Sequence, residues 1–195
     1  MTLIKICGLS DLKATQAADE ADFAGFIVGS PHSHRNISLD NFLRLRDELT
    51  HAQPVLVTVN PSIKFLHKLQ NIPNVIIQLH GQARQFSDFM HKTALGMDLC
   101  EFENSEYNDK NHYSFLSIDS INKHGYGGSG ESWTWKSLQP RGEPLLVAGG
   151  ISTANVEYAL QQTHAQGVDV SSSLERQGKK DPELIQEFIA RVRAL

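Results

Sequence analysis

The chain has 195 residues, 40% hydrophobic and 21% charged, a composition typical of one globular domain with its own core, which we expect to cover residues 1–195. The formal net charge of -4 and the lack of any Lys/Arg run longer than two argue against nucleic acid as a partner. Two cysteines are too few for a disulfide framework, and the sequence has neither a signal-peptide pattern nor a membrane-length apolar run, so we expect a cytoplasmic protein away from membranes.

Eight short apolar runs predict strands. They are rich in Val, Ile and Leu and do not alternate strictly with polar residues, which is typical of strands covered on both faces, as in parallel sheets. In chain order they are LIKIC at 3–7, DFAGFIV at 22–28, PVLVTV at 54–59, VIIQL at 75–79, TALGMDL at 93–99, SFLSID at 114–119, PLLVA at 144–148 and GVDVS at 167–171.

Helix-compatible segments lie between most of these runs, at 12–20, 39–49, 62–70, 83–92, 153–161 and 182–194. Ser38 and Ser152 supply start signals for two of them, and Asp181 followed by Pro182 supplies one for the last. The stretch CEFENSEYNDKNH is polar with no apolar stripe, so it predicts a shortened or eroded fifth helix. SWTWKSL predicts a short sixth helix.

Eight repeating strand–helix units predict an α/β fold, a (β/α)8 TIM barrel in a single domain, although such barrels usually have about 250 residues. An open doubly wound sheet is the alternative, but it commonly has fewer strands, and no G-x-G-x-x-G motif follows the first run. In a barrel the active site lies at the C-terminal ends of the strands. Polar residues at those positions are therefore the candidates for chemistry.

The first strand ends on Cys7 and the chain turns away at Gly8, so we expect the thiol to face the mouth of the barrel. Further strand ends carry the segment 30–35, which contains Arg35, and then Asn60, His80, Asp98, Asp119, Gly149 and Gly150, and the segment 171–173. The alternatives without a catalytic or binding function are a packing role for Cys7, a helix-capping role for Asp119 and a solvated loop around Arg35.

Three loops rich in glycine or serine follow the last three strands: GYGGSG at 125–130, AGGIS at 148–152 and DVSSSLE at 169–175. Glycine lets backbone N–H groups approach a ligand, and helix N-termini favour anions, so adjacent loops of this kind predict a phosphate site. The alternative is that the glycines only form tight turns. The candidate phosphate-binding residues are Gly128, Gly130, Gly149, Gly150, Ser171 and Ser172.

Taken in order, these motifs resemble phosphoribosylanthranilate isomerase of tryptophan biosynthesis over essentially the whole chain. The motifs that carry the resemblance are KICGL at 5–9, ADFAGFIVGSPHSHRNIS at 21–38, QLHG at 78–81, IDS…GGSG…W at 118–135, VAGGIS at 147–152 and GVDVSSSLE…GKKD at 167–181. The resemblance implies an isomerase that performs an Amadori rearrangement on N-(5-phosphoribosyl)anthranilate. It implies no metal or organic cofactor, and a monomer or homodimer whose partner is a small phosphorylated substrate.

The resemblance also assigns roles. It places the general base at Cys7 and the general acid at Asp119, and it implies that Arg35 holds the anthranilate carboxylate. His80 is expected to contact the aromatic ring, and Asp169 to meet the sugar hydroxyls or to cap the phosphate helix. A free thiol has a pKa of about 8.5, so Cys7 must be partly ionised to act as a base, and Lys5 would contribute to this ionisation.

Two other functions are weighed against the isomerase. Another phosphosugar enzyme is one: an epimerase relies on paired aspartates and metal-binding histidines at strand ends, and indole-glycerol-phosphate synthase relies on barrel lysines, of which Lys5 is the only candidate. A non-catalytic phosphate-ligand-binding barrel is the other, and the presence of both Cys7 and Asp119 argues against it. Ser173 stands where the family usually has glycine, and we expect weaker phosphate binding if that position needs a positive φ.

Overall fold

The computed structural model describes residues 1–82, 93–104, 113–119, 136–139 and 142–195, and the predicted barrel is confirmed. Eight parallel strands pair side by side, and β1 pairs with both β2 and β9, which closes the sheet. The barrel strands are β1 Leu3–Cys7, β2 Phe23–Val28, β4 Gln53–Val59, β5 Ile76–His80, β6 Thr93–Asp98, β7 Leu116–Asp119, β8 Leu145–Val147 and β9 Gly167–Val170. A short strand, β3 Asn36–Ile37, pairs with the end of β2, and β10 Glu175–Arg176 and β11 Lys179–Lys180 form a separate hairpin.

The described helices are α1 Leu12–Ala17, α2 Leu39–Arg46, α3 Ile63–Leu69, α4 Leu99–Asn104, α5 Val156–Thr163 and α6 Pro182–Arg193. Side-chain caps define most of their starts: Asp11, Ser38, Ser62 and Asp181 each accept a hydrogen bond from a backbone N–H in the first turn. The start signals at Ser38 and Asp181 are therefore confirmed. No described helix is both long enough and apolar enough to cross a bilayer.

Several predicted boundaries shift. The fifth predicted strand ends at Asp98, and α4 begins at once at Leu99. Residues 105–112, where the rest of the predicted short fifth helix falls, lie outside the described residues. Helix α1 ends at Ala17 and continues as a 3-10 turn, and α2 ends at Arg46. The predicted helix at 83–92 and most of the predicted sixth helix lie outside the described residues. The described end of the sixth, at 136–138, is not helical.

The predicted start of the 153–161 helix is wrong, since α5 begins only at Val156. The reason is the side chain of Asn155. Its Oδ1 accepts the backbone N–H of Ser152 at 2.8 Å, and its Nδ2 donates to the carbonyl of Gly150, also at 2.8 Å. These local bonds offer the backbone an alternative to the first helical turn. Residues 152–155 form a turn that holds the loop after β8.

The hydrophobic core has two parts, one on each face of the sheet. Outside the barrel, Phe26 of β2 packs edge-on against Phe42 of α2, with ring centroids 5.4 Å apart. Inside it, Phe23 and Phe115 approach to 4.8 Å near the N-terminal ends of the strands. Residues that line the interior with them include Val55, Val57, Ile76, Ala94 and Leu146. Packing thus fills the lower part of the barrel, and the chemistry-bearing side chains lie above it.

A partly buried polar anchor fixes the chain where it enters β4. The carboxylate of Asp19 accepts hydrogen bonds from the backbone N–H groups of Thr50, His51 and Ala52 at 2.9, 2.9 and 3.0 Å. Desolvation raises the pKa of Asp19, but these bonds and the Thr50 hydroxyl outweigh it and hold the pKa well below its usual range.

Replacing this anchor should destabilise the fold in a pH-dependent way. We expect Asp19→Ala to lower the free energy of unfolding at pH 7 by about 1–3 kcal/mol, since it removes a charged acceptor of several hydrogen bonds. Because the folded-state pKa is depressed, this stabilisation is present above the ordinary carboxyl range and is lost as the pH falls towards the folded-state value. Denaturant unfolding at pH 7 and pH 3 measures the difference, which should narrow at pH 3.

The matched control is Asp47→Ala, because the Asp47 side chain is 71% exposed and its one ion pair among the described residues is with its neighbour Arg46. Its unfolding free energy should stay close to that of the parent protein. If Asp19→Ala lowers the free energy of unfolding no more than Asp47→Ala does, or lowers it equally at pH 7 and pH 3, the stabilising role of Asp19 is contradicted.

Candidate active site

A cavity of about 190 Å³ opens at the C-terminal ends of the barrel strands. Every predicted site residue that the structure describes lines it, namely Cys7, Arg35, His80, Asp119, Gly149, Gly150, Asp169, Ser171 and Ser172. The two remaining predictions, Gly128 and Gly130, lie outside the described residues. The sequence therefore located the cavity, and the structure adds the contacts that arrange it.

Two glycines make room for the end of β1. Gly25 lies opposite Cys7 in the β1–β2 register, and a Cβ there would sit 3.1 Å from Cys7 Sγ and 3.3 Å from Lys5 Cε. Gly8 has a φ of +83°, and a Cβ on it would lie 2.6 Å from Arg35 Cδ. A side chain at Gly8 would be strained and would push Arg35 away. This explains why a glycine directly follows the cysteine.

A buried ion pair lies beneath the thiol. Lys5 is fully buried, and its Nζ contacts Asp169 Oδ2 at 2.7 Å, while Ser117 Oγ donates to the same oxygen at 2.8 Å. Burial lowers the pKa of the Lys5 ammonium, but attraction to Asp169 and Cys7 outweighs it, so the pKa is raised above its usual value. Lys5 therefore keeps its positive charge. The Oδ2 oxygen of Asp169 is thus occupied by Lys5 and Ser117.

The Cys7 thiol responds to the same surroundings. Removal from water raises its pKa above the usual value; Lys5 lowers it, Asp169 raises it, and burial prevails. Lys5 lowers the pKa of Cys7 and so favours the thiolate, as expected, but it lowers the pKa by less than burial raises it. The surroundings therefore favour the neutral thiol of Cys7.

Asp119 ends β7, and in the closed sheet β9 and β8 lie between it and Cys7. The two side chains thus reach one cavity from different sides of the rim. Nearby on β5, His80 Nε2 lies 3.0 Å from Gln78 Nε2, and Gln78 is buried and lines the same cavity. Gln78 is a site residue that sequence reasoning missed, although it stands inside the quoted QLHG motif.

The loops after β8 and β9 are tied together. The backbone N–H groups of Gly149 and Gly150 donate to no described acceptor, which leaves them available to a ligand. Ser173 Oγ donates to the carbonyl of Ile151 and so joins the two loops. Ser173 does not have a positive φ, so the strain that the missing glycine suggested is absent. The serine adds a link between the loops without cost to the backbone.

Arg35 is held on both sides. Within its own loop, Asn36 Oδ1 accepts the N–H of Ser30, and Ser33 Oγ accepts the N–H of Arg35 itself. From the hairpin after β9, Glu175 pairs with its guanidinium, and Lys180 pairs with the same carboxylate. Sequence reasoning missed Glu175 and Lys180; the only signal was their place within the SSSLE…GKKD motif.

The pKa of Cys7 predicts how the thiol titrates. In a Cys100→Ser background, the rate of Cys7 alkylation by iodoacetamide should reach its midpoint at a pH above that of an ordinary thiol, because only the thiolate reacts. Lys5→Met should move the midpoint to still higher pH, since it removes a positive charge. Asp169→Asn should move it to lower pH, since it removes a negative one.

Circular dichroism of each variant checks that the barrel is intact. The described effects of burial and charge on Cys7 would be contradicted by a pH midpoint of alkylation in the parent that lies below that of an ordinary thiol. They would also be contradicted if Lys5→Met and Asp169→Asn moved this midpoint in the same direction.

The closed parallel barrel and the acid- and thiol-bearing cavity at its C-terminal rim define the chain as a (β/α)8-barrel enzyme. Residues 4–191 match the family model described as N-(5'phosphoribosyl)anthranilate (PRA) isomerase, and the chain belongs to this family.

Similar proteins agree with this. A relative from Streptococcus pneumoniae (strain Taiwan19F-14), named N-(5'-phosphoribosyl)anthranilate isomerase, is 31% identical over 199 residues, which cover 99% of this chain and 96% of the relative. The crystal structure of phosphoribosyl anthranilate isomerase from Thermotoga maritima superposes with a TM-score of 0.81 at 27% identity, with 100% of both chains covered. Another crystal structure, at TM-score 0.76 and 25% identity with 100% of both chains covered, is a phosphoribosyl anthranilate isomerase in complex with reduced 1-(o-carboxyphenylamino)-1-deoxyribulose 5-phosphate.

Proposed function

We propose that this chain catalyses the Amadori rearrangement of N-(5-phosphoribosyl)anthranilate to 1-(2-carboxyphenylamino)-1-deoxyribulose 5-phosphate, with Cys7 as general base and Asp119 as general acid. The observation that carries the proposal is that both side chains line one cavity of a barrel in this isomerase family. A cytoplasmic location and a single-domain chain belong to the same proposal.

The reaction needs one group to give a proton and another to take one. Asp119 protonates the ring oxygen of the ribose, the bond from C1 to that oxygen breaks, and the anilino nitrogen lone pair forms the C=N bond of a Schiff base. Cys7 then removes the proton from C2, and the electron pair forms the enolamine. Proton return to C1 and loss of the proton from the C2 hydroxyl give the ketone. No oxidant or reductant is consumed.

The thiol must lose its proton before it can act as a base. Lys5, which stays charged beneath it, stabilises the thiolate that forms. Gly25 leaves the space in which the sulfur lies at the end of β1. Within the buried Lys5–Asp169 pair, the Lys5 ammonium therefore supplies a fixed positive charge next to the base, and Asp169 holds it in place.

The other cavity residues bind the two ends of the substrate in this proposal. Arg35 holds the anthranilate carboxylate, because a guanidinium matches a carboxylate with two parallel hydrogen bonds. His80 contacts the aromatic ring, and Asp169 accepts a hydrogen bond from a sugar hydroxyl.

The phosphate end is assigned to the two linked loops. The backbone N–H groups of Gly149 and Gly150 and the side chains of Ser171 and Ser172 would bind the phosphate. Gly128 and Gly130, from the loop after β7, complete the proposed phosphate set. The positions of Gly149 and Gly150 depend on Asn155, which holds the Gly150 carbonyl.

The decisive measurement is the loss of fluorescence of freshly made phosphoribosylanthranilate. We expect Cys7→Ser and Asp119→Asn each to lower kcat by at least about 100-fold, since general acid–base catalysis contributes about 10²–10⁴-fold. Serine is a far weaker acid than cysteine and does not form the required anion, and asparagine has no carboxyl proton to give.

Two matched variants control for non-specific effects. Cys100→Ser changes the exposed cysteine of α4, and Asp98→Asn changes a carboxylate that accepts the N–H of Glu101 where α4 begins. Both should retain turnover. Parent-like kcat in either active-site variant would reject that residue's role, and no turnover by the folded parent protein would favour the non-catalytic binding barrel.

A further inference from the structure

The guanidinium of Arg35 has one edge occupied and one edge open. Its Nε donates to Glu175 Oε1, and its Nη2 donates to Glu175 Oε2 at 3.2 Å. A guanidinium has five N–H donors in a planar fork, and this pairing uses the Nε–Nη2 edge. Among the described residues, none accepts a hydrogen bond from Nη1 of Arg35. Because Arg35 lines the cavity, its Nη1–Nη2 edge remains for a ligand.

Lys180, in contrast, has no donor left. Its side chain is only 1% exposed. The ammonium group contacts the Ser171 carbonyl at 2.9 Å, Ser171 Oγ at 3.2 Å and Glu175 Oε1. An ammonium carries three N–H groups, so these contacts use all of them. Lys180 therefore links Glu175 to the end of β9 and does not itself bind a ligand.

The Glu175 carboxylate lies between two basic side chains, Arg35 and Lys180. Partial burial raises the pKa of Glu175, but Arg35 and Lys180 outweigh it and bring the pKa down to about 2, so the carboxylate is charged at any working pH. The Glu175 carboxylate thus faces two basic groups, Arg35 and Lys180; burial lowers the pKa of Lys180, and Glu175 opposes that shift. The open edge of the Arg35 guanidinium suits a carboxylate.

The stem of Arg35 is fixed as well. A Cβ on Gly8 would meet Arg35 Cδ at 2.6 Å, which shows that the side chain runs directly across the Gly8 backbone. With the stem on Gly8 and one edge on Glu175, the guanidinium plane has little freedom to turn.

We propose that Glu175 is a positioning residue for the carboxylate end of the substrate: it clamps the Nε–Nη2 edge of Arg35 so that the Nη1–Nη2 edge faces the cavity. Through Lys180 the same carboxylate is joined to Ser171, so one residue aligns the carboxylate-binding arm with the proposed phosphate loop. This inference rests on the proposed function, in which Arg35 binds the anthranilate carboxylate.

The test compares two ligands that differ only in the group Arg35 would bind. One is reduced 1-(2-carboxyphenylamino)-1-deoxyribulose 5-phosphate, and the other is the same compound with an unsubstituted phenyl ring. Calorimetric titration should show that Glu175→Gln weakens binding of the carboxylated compound by about tenfold and changes the other by less than about threefold, because charge-assisted bidentate pairs are the stronger hydrogen bonds. A merely structural role would weaken both equally, and that result, or no change in either, would overturn the proposal.

Two further variants sharpen the test. Glu175→Asp keeps the charge that pairs with buried Lys180 but withdraws the carboxylate from Arg35, so it should also lose preference for the carboxylated compound. An unchanged preference in this variant would overturn the proposal even if Glu175→Gln did not fold. Arg176→Gln is the control, because the Arg176 side chain is 57% exposed and pairs with Asp181 and Glu183 outside the cavity. It should preserve the preference.

Failure of the inference and failure of the proposed function give different results. A parent protein that prefers the carboxylated compound but does not turn over phosphoribosylanthranilate would reject the proposed reaction and leave the role of Glu175 supported. A parent protein that binds both compounds equally would reject the Arg35 assignment, and with it the role of Glu175.

Discussion

The buried contact between Lys5 and Asp169 governs the chemistry of this barrel. It joins the first strand to the last, and Ser117 brings in a third strand from further around the sheet. A buried ion pair gains little stability over apolar packing, because both charges must leave water, yet removing one partner alone is costly. Its effect here is local: a permanent ammonium lies directly under the one cysteine that faces the cavity.

That arrangement places opposing influences on the sulfur, which is removed from water and lies beside a positive charge. Burial favours the neutral thiol, and the ammonium favours the anion. Gly25 allows the two side chains to lie side by side, and Gly8 lets the chain turn away at once so that Arg35 can cross it. The architecture of the rim therefore follows from how Lys5, Gly25 and Gly8, which comes directly after β1, fit around the thiol.

Much of this could be predicted from the sequence. The apolar runs identify the barrel strands because parallel strands are buried on both faces, and Cys7 and Asp119 could be placed because strand ends converge at one rim in such a fold. Glu175 could not, since its partner Arg35 is 140 residues away and only the closed sheet brings them together. The start of α5 was missed for a different reason. Asn155 competes locally with the helix, and sequence propensity alone does not show which side wins. The direction of the Cys7 pKa shift could not be predicted from the sequence either, because it depends on how far the folded protein removes the thiol from water.

The raised pKa of Cys7 has a consequence for damage as well as for catalysis. Peroxides oxidise the thiolate and hardly attack the protonated form, so sulfenic acid forms slowly on a cysteine that keeps its proton. Although the sulfur borders an open cavity, its surroundings favour the protonated thiol, and this slows oxidation of the sulfur near neutrality. That protection weakens as the medium becomes alkaline.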